Sequence, residues 1–342
     1  MGEIDIRVQG KAGRITLTRP EALNALTYDM ALAIEQAVDG WRDDPAVALV
    51  VIDAEGDRAF CSGGDIAKLY ETGRAGDFAW GQKFWRDEYR LNAKLARYPK
   101  PIAAFMQGFT MGGGVGISCH SSHRVVGDSS RIAMPENGIG LVPDVGGSLI
   151  LANAPDRVGV FLGLTATRMN SADAIHVGFA DHCVPEAAWP EVISRLQQTG
   201  DPAAVTDAAV EPAGATLPAL AEQTARLFQG GSLAEISLAL EADASDFATD
   251  ALKKMSRNSP LSMAVFVAMM QALAGREIED ALEMEYRYVS RSMEHGDFLE
   301  GIRAQIIDKD RNPTWQHIWP GDVPQADVDR MLATTEFSLP RD

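Results

Sequence analysis

Between Phe109 and Gly147 the chain sets three consecutive glycines, Gly112, Gly113 and Gly114, upstream of two carboxylates, Glu136 and Asp144. Glycines at a helix start leave backbone N–H groups bare, and such groups can stabilise an oxyanion. Acids among glycines, a proline and apolar residues are set for burial, where a carboxylate can do acid–base or nucleophilic work. The intervening NGIGLVP contains Gly138, Gly140 and Pro143, so the chain can bend back and bring the two acids together. A second glycine turn, Cys61-Ser62-Gly63-Gly64-Asp65, frees the backbone to approach a ligand. Taken singly, that turn reads first as a tight strand-to-helix connection, and Asp144 as a helix cap.

Several other chemistries do not fit. A dinucleotide fingerprint needs a third glycine where this chain has Ile117. His120, His123, His176 and His182 lack paired ligand spacing, so no metal is expected and they read as core or surface histidines. Cys61 has no evident histidine partner and reads as a buried turn residue. The formal net charge of −17 makes nucleic acid and anionic membrane poor partners. Three widely spaced cysteines imply no disulfide framework and fit a reducing, cytoplasmic setting. The N-terminus has no apolar signal core, and no apolar run reaches transmembrane length.

The elements that must position these groups alternate. Arg14 to Thr18 alternates like a half-buried strand, and Tyr28 to Trp41 forms a helix with Thr27 as N-cap. Ala46 to Ala54 is a continuous apolar run, a strand buried on both faces. Phe78 to Tyr98 is an amphipathic helix stopped by Pro99-Lys100-Pro101. Pro101 to Phe105, His123 to Gly127, Arg131 to Met134 and Phe179 to Val184 read as strands, with helices near 147–154, 156–164 and 171–177. This order is an α/β core. Residues 200–218 read as a connector, and the chain from Ala219 on is almost wholly helical. We therefore divide it into a core at 1–198 and a connector with a helical C-terminal region at 199–342.

The segments RPEALNALT (Arg19–Thr27), AFCSGGDI (Ala59–Ile66), the triple glycine and MPE (Met134–Glu136) together resemble the enoyl-CoA hydratase/isomerase, or crotonase, superfamily. The resemblance implies a crotonase-like spiral of β-β-α units and an acyl-CoA substrate, with coenzyme A as part of that substrate and no separate cofactor. It implies that the N–H groups of Gly64 and Gly113 form an oxyanion hole, and that backbone near Ala22, Ser62, Gly64, Asp65 and Ile66 lines the CoA path. Hydratases carry two catalytic glutamates. One matches Glu136; the other falls on Gly116, and Asp144 is added. That pattern, with ALEMEYR and HGDFLEGIRAQIIDKDRNPTW further on, is similar to the branch that hydrolyses 3-hydroxyisobutyryl-CoA in valine breakdown. In that branch a substrate-contacting glutamate matches Glu88. The implied reaction is thioester hydrolysis, with Gly113, Glu136, Asp144 and Glu88 contacting substrate. An enoyl-CoA hydratase or isomerase and a non-catalytic acyl-CoA-binding protein remain as alternative readings. Arg19, Lys68, Lys253 and Lys254 are positional candidates for the CoA phosphates. The C-terminal helices are a packing or homo-oligomerisation element in the superfamily, and the longer tail here is expected to fold back on its own region.

Overall fold

The computed structural model describes residues 2–341. The chain forms two compact units, each assembled from separate stretches. The first holds the chain up to Asp65, Arg90–Ala133 and Arg168–Pro218; the second holds Ile66–Tyr89, Met134–Thr167 and everything from Ala219.

All nine strands among the described residues belong to the first unit. They are β1 (Ile4–Gln9), β2 (Ala12–Leu17), β3 (Leu49–Ala54), β4 (Ala59–Cys61), β5 (Ile102–Met106), β6 (Phe109–Met111), β7 (His123–Val126), β8 (Arg131–Ala133) and β9 (His182–Cys183). A six-stranded sheet runs β1-β2-β3-β5-β7-β9, and a three-stranded sheet runs β4-β6-β8. Only β1–β2 is antiparallel. Consecutive strands from β3 to β9 thus alternate between sheets, and each β-β pair is followed by helix. This is the β-β-α spiral expected from the sequence.

The continuous apolar run becomes β3, whose Leu49 to Ile52 are buried on both faces. Leu49 and Val51 join Ala103, Phe105 and Val125 in a core closed by Trp189, Val192 and Leu196 of the helix Trp189–Thr199. Each such side chain removed from water contributes about 1.5–3 kcal/mol before entropy is counted. The stretch read as a connector also holds a helix, Ala203–Ala208, because Ala204 and Val205 pack into this same core. Its alanine-rich composition hid a short buried face. Thr27 caps Tyr28–Trp41 as expected, accepting from the Met30 N–H.

The second unit is helical. Its tail folds back on its own helices. Asp297 accepts from Ser259 Oγ at 2.6 Å, the N-cap of the helix Pro260–Leu273, and from Gln316 N at 3.0 Å. Arg303 gathers Glu300, Asp308 and Asp310. Phe337 packs at a tilt against Tyr286 with centroids 4.3 Å apart, and Arg341 reaches Asp280 and Glu283 at 2.7 and 3.0 Å. The long HGDFLEG… segment is therefore a knot of carboxylate–donor contacts. No helix among the described residues is long and apolar enough to cross a membrane.

Candidate active site

In the first unit, Asn24 organises the RPEALNAL loop. It sits at φ 53°, a left-handed conformation that asparagine tolerates better than most residues. Its buried side chain accepts from Arg19 N and donates to the carbonyls of Glu55 and Ala59, each at 2.9 Å. The loop is thereby tied to the end of β3 and to β4. Ser62 N then donates to Leu23 O at 3.0 Å, Leu26 N to Gly63 O at 2.9 Å and Asp65 N to Leu26 O at 2.8 Å. In this parallel bridge the flanking residues of Gly64 make the bonds, so the Gly64 N–H lies outside it.

Beside this loop runs the triple glycine. β4 pairs in parallel with β6, so the turns leaving their C-terminal ends emerge side by side, the end of a parallel sheet where ligands usually bind. Gly112 has φ 47° and ψ −122°, a backbone state essentially reserved for glycine. A Cβ on Gly114 would lie 2.4 Å from the Cys61 carbonyl oxygen, so only glycine lets the helix Gly113–Ser118 sit so close to β4. Gly113 opens that helix, and an N–H in its first turn has no intrahelical acceptor. Sequence reading placed Ala22, Ser62, Gly64, Asp65 and Gly113 at the CoA and thioester positions, and all five fall on this loop pair. Ile66 follows directly and opens Ala67–Arg74 in the other unit. Gly116 is buried within the glycine helix.

The acids occupy the second unit. Glu88 lies on the helix Phe78–Ala96, Glu136 opens the 3-10 turn Glu136–Ile139, and Asp144 precedes the helix Gly147–Asn153. They are 3%, 5% and 4% exposed, and the N-cap of that last helix is Gly146 with no side-chain cap bond, so capping does not describe Asp144. The Glu136 turn is fixed by tight packing. A Cβ on Gly301 would lie 2.1 Å from Ile139 O, and one on Gly140 would lie 2.5 Å from the Asp297 carbonyl carbon. Tyr288 Oη also donates to Gly140 O at 2.9 Å.

Two further members escaped sequence reading. Tyr89 donates its hydroxyl to Asp144 Oδ2 at 2.7 Å. Glu285, on Ile278–His295 and 0% exposed, accepts from Gly146 N at 2.9 Å and from Ser148 Oγ. Glu285 lies inside ALEMEYR, and on an amphipathic helix a lone glutamate looks like part of the solvated face.

Four acids in one buried region repel one another's charge. Burial pushes Glu88 up to about 8, with the Asp144 charge adding to it. Glu285 is likewise at about 8, burial outweighing its donors. Asp144 is raised to about 7 by burial, opposed by the Tyr89 hydroxyl. Glu136 is held well above the ordinary carboxylate range by burial, then by Asp144 and Glu285. Glu88 Oε1 and Glu136 Oε2 are buried without a hydrogen-bond partner. Unpaired buried acceptors are costly in a folded chain, and here they mark two carboxylates left free to meet a ligand's proton or electrophile.

The basic candidates have partners of their own. Arg19 bridges Glu3 and Asp65, each at 3.2 Å; Lys68 pairs with Glu71 and Lys254 with Asp250, each at 2.8 Å. Lys253 lines an apolar cleft of about 310 Å³ with Trp315 and Trp319.

The profile of the enoyl-CoA hydratase/isomerase family matches residues 12–332. Among curated relatives, a mitochondrial 3-hydroxyisobutyryl-CoA hydrolase of Danio rerio is 38% identical over 96% of this chain and 88% of its own length. The Homo sapiens protein of that name is 34% identical over 92% and 84%. Among solved structures, one described as an enoyl-CoA hydratase from Rhodobacter sphaeroides superposes with TM-score 0.93 at 52% identity, covering 97% of this chain and 98% of that one. One described as a carnitinyl-CoA dehydratase from Mycobacterium thermoresistibile gives TM-score 0.94 at 36% identity, with 99% of both chains covered.

Proposed function

Because this chain belongs to the enoyl-CoA hydratase/isomerase family, we propose that it hydrolyses an acyl-CoA thioester, with 3-hydroxyisobutyryl-CoA as substrate. The relatives bearing that activity in their names, at 34–38% identity over most of the chain, support the substrate. The observation that carries the chemistry is the coupled acid pair Glu136 and Asp144, both buried, with Glu136 Oε2 unpartnered.

Attack on the thioester carbonyl places negative charge on its oxygen. The N–H groups of Gly64 and Gly113 hold that oxyanion, and losing one such donor costs about 3 kcal/mol in the transition state. Glu136, once ionised, either attacks the carbonyl carbon or takes a proton from the attacking water. Direct attack gives a mixed anhydride as the C–S bond breaks, and water then opens it. In both routes the CoA sulfur leaves with the bonding pair and takes up a proton. Asp144, raised to about 7, is matched to exchange that proton near neutral pH. Glu88 is protonated at neutral pH and can hydrogen-bond the substrate's hydroxyl. Gly116 removes the second acid that concerted addition of water to an alkene requires.

The test is Glu136→Gln assayed for CoA release from 3-hydroxyisobutyryl-CoA. Turnover near wild type sinks the assignment. Single turnover in oxygen-18 water separates the routes, with label in Glu136 for the anhydride and label only in product for the general base. The 52%-identical structure described as a hydratase favours a second reading, hydration of an enoyl-CoA. Loss of conjugated-enoyl absorbance from crotonyl-CoA would establish it.

A further inference from the structure

The turn that carries Asp144 is strained. Val145 sits at φ 52°, and Gly146 follows at φ 79°. Gly146 adopts that conformation without penalty, whereas a β-branched valine there is an outlier that the surroundings must enforce. Val145 is also buried, so solvent does not relax it. Gly147 N donates to Asp144 O across the turn at 2.7 Å.

Glu285 supplies the enforcement. Its carboxylate accepts from the Gly146 N–H, at 2.9 Å to Oε2 and 3.2 Å to Oε1, and from the Ser148 hydroxyl. Every one of these groups is a donor, and each lies within four residues of Asp144. On the other side the Tyr89 hydroxyl holds Asp144 Oδ2. Asp144 is thus held at its carboxylate by Tyr89, and the turn that follows it is held by Glu285 at Gly146 and Ser148, from two different helices.

We propose that Glu285 is a positioning residue for the hydrolysis, acting through Asp144 by holding the Asp144-Val145-Gly146 turn in its left-handed form. This rests on the reading above, in which Asp144 belongs to the reacting cluster. The conservative change Glu285→Gln keeps size but replaces one accepting oxygen with an NH2 group, so Gly146 N and Ser148 Oγ are left a single acceptor to share. Ser148→Ala removes a single contact and leaves the carboxylate in place. Val145→Gly removes the need for enforcement altogether.

The experiment has a kinetic and a structural arm. Glu285→Gln is expected to lower kcat by about 10²-fold, the scale of a small misplacement of a reacting group. Ser148→Ala is expected to lower kcat roughly fivefold, about what one hydrogen bond is worth. KM stays within twofold in both variants. Adding Val145→Gly to Ser148→Ala restores most of the lost kcat. A residue that merely supports the fold would lower thermal stability without this split and without rescue by glycine. Crystal structures of Glu285→Gln and Ser148→Ala give the arm that needs no activity. The proposal expects Val145 to leave the left-handed region, or the Tyr89–Asp144 bond to break, in at least one of them. An unchanged turn and an intact Tyr89–Asp144 bond in both variants overturn it, as does a kcat that glycine at 145 fails to restore. If Glu285→Gln does not fold, Ser148→Ala decides alone. Absence of thioesterase activity in the wild-type protein would instead refute the functional reading, and the structural arm would still test the role of Glu285.

Discussion

The two glycine turns and the four-acid cluster are built on opposite principles. The turns place backbone N–H groups, and their geometry is dictated by what glycine alone permits: φ 47° at Gly112, φ 120° at Gly63, and a β4 carbonyl within 2.4 Å of a Cβ at 114. The acid cluster places side chains from two helices and two turns, and its properties come from burial and mutual repulsion rather than local conformation. A backbone site is robust to pH but intolerant of any Cβ. A buried-acid site tolerates isosteric change in shape and is sensitive to charge.

The sharpest break of that contrast comes at Glu136. Glu136→Gln keeps the shape and is expected to lower kcat by roughly 10³-fold, within the range for loss of a reacting acid or base. Retained thermal stability alongside that loss shows that charge, not packing, was removed. On the backbone side, Gly113→Pro deletes one N–H at a helix position that has no intrahelical bond to lose. It is expected to lower kcat by about 10²-fold, with a stability loss smaller than that of Gly114→Ala. Gly114→Ala forces a Cβ against Cys61 O, which should cost about 1–3 kcal/mol of stability, read as a lower midpoint in urea.

The smallest and most general effect is on pH. Glu88 and Glu285 at about 8 and Asp144 at about 7 all lie above their ordinary values of 4.5 and 3.8. The folded state therefore binds protons more tightly than the unfolded chain. Their contribution to stability is fully present below the unfolded values and is lost as pH rises through about 8. Tm should fall from mildly acidic to mildly alkaline pH, and Glu88→Gln should flatten the fall. A Tm that rises over that window contradicts the cluster's electrostatics. Activity should move the other way, rising with pH as Glu136, held above the ordinary carboxylate range by burial, ionises.

The same contrast explains what could be read from the chain. Gly63, Gly112 and Gly114 announce themselves because only glycine serves there, Gly64 and Gly113 stand beside them in the same runs, and Asn24 is visible within its motif. Glu136 and Asp144 were legible from their apolar surroundings, and Glu88 only through the family pattern. Tyr89 and Glu285 were not. Each lies on a long amphipathic helix where periodicity cannot say which helix face will be covered, and partners 55 and 139 residues away supply the cover. The short helix at 203–208 was missed for the related reason that its buried face is two small residues, Ala204 and Val205. Side-chain burial is a property of the assembled unit, whereas backbone permission is a property of the residue.

The most direct test supplies wild-type protein with 3-hydroxyisobutyryl-CoA and, separately, with crotonyl-CoA. Free thiol and conjugated-enoyl absorbance are followed in each. The account predicts steady thiol release from the first and no loss of absorbance from the second. Loss of enoyl absorbance from crotonyl-CoA, with no thiol released from either substrate, would contradict it.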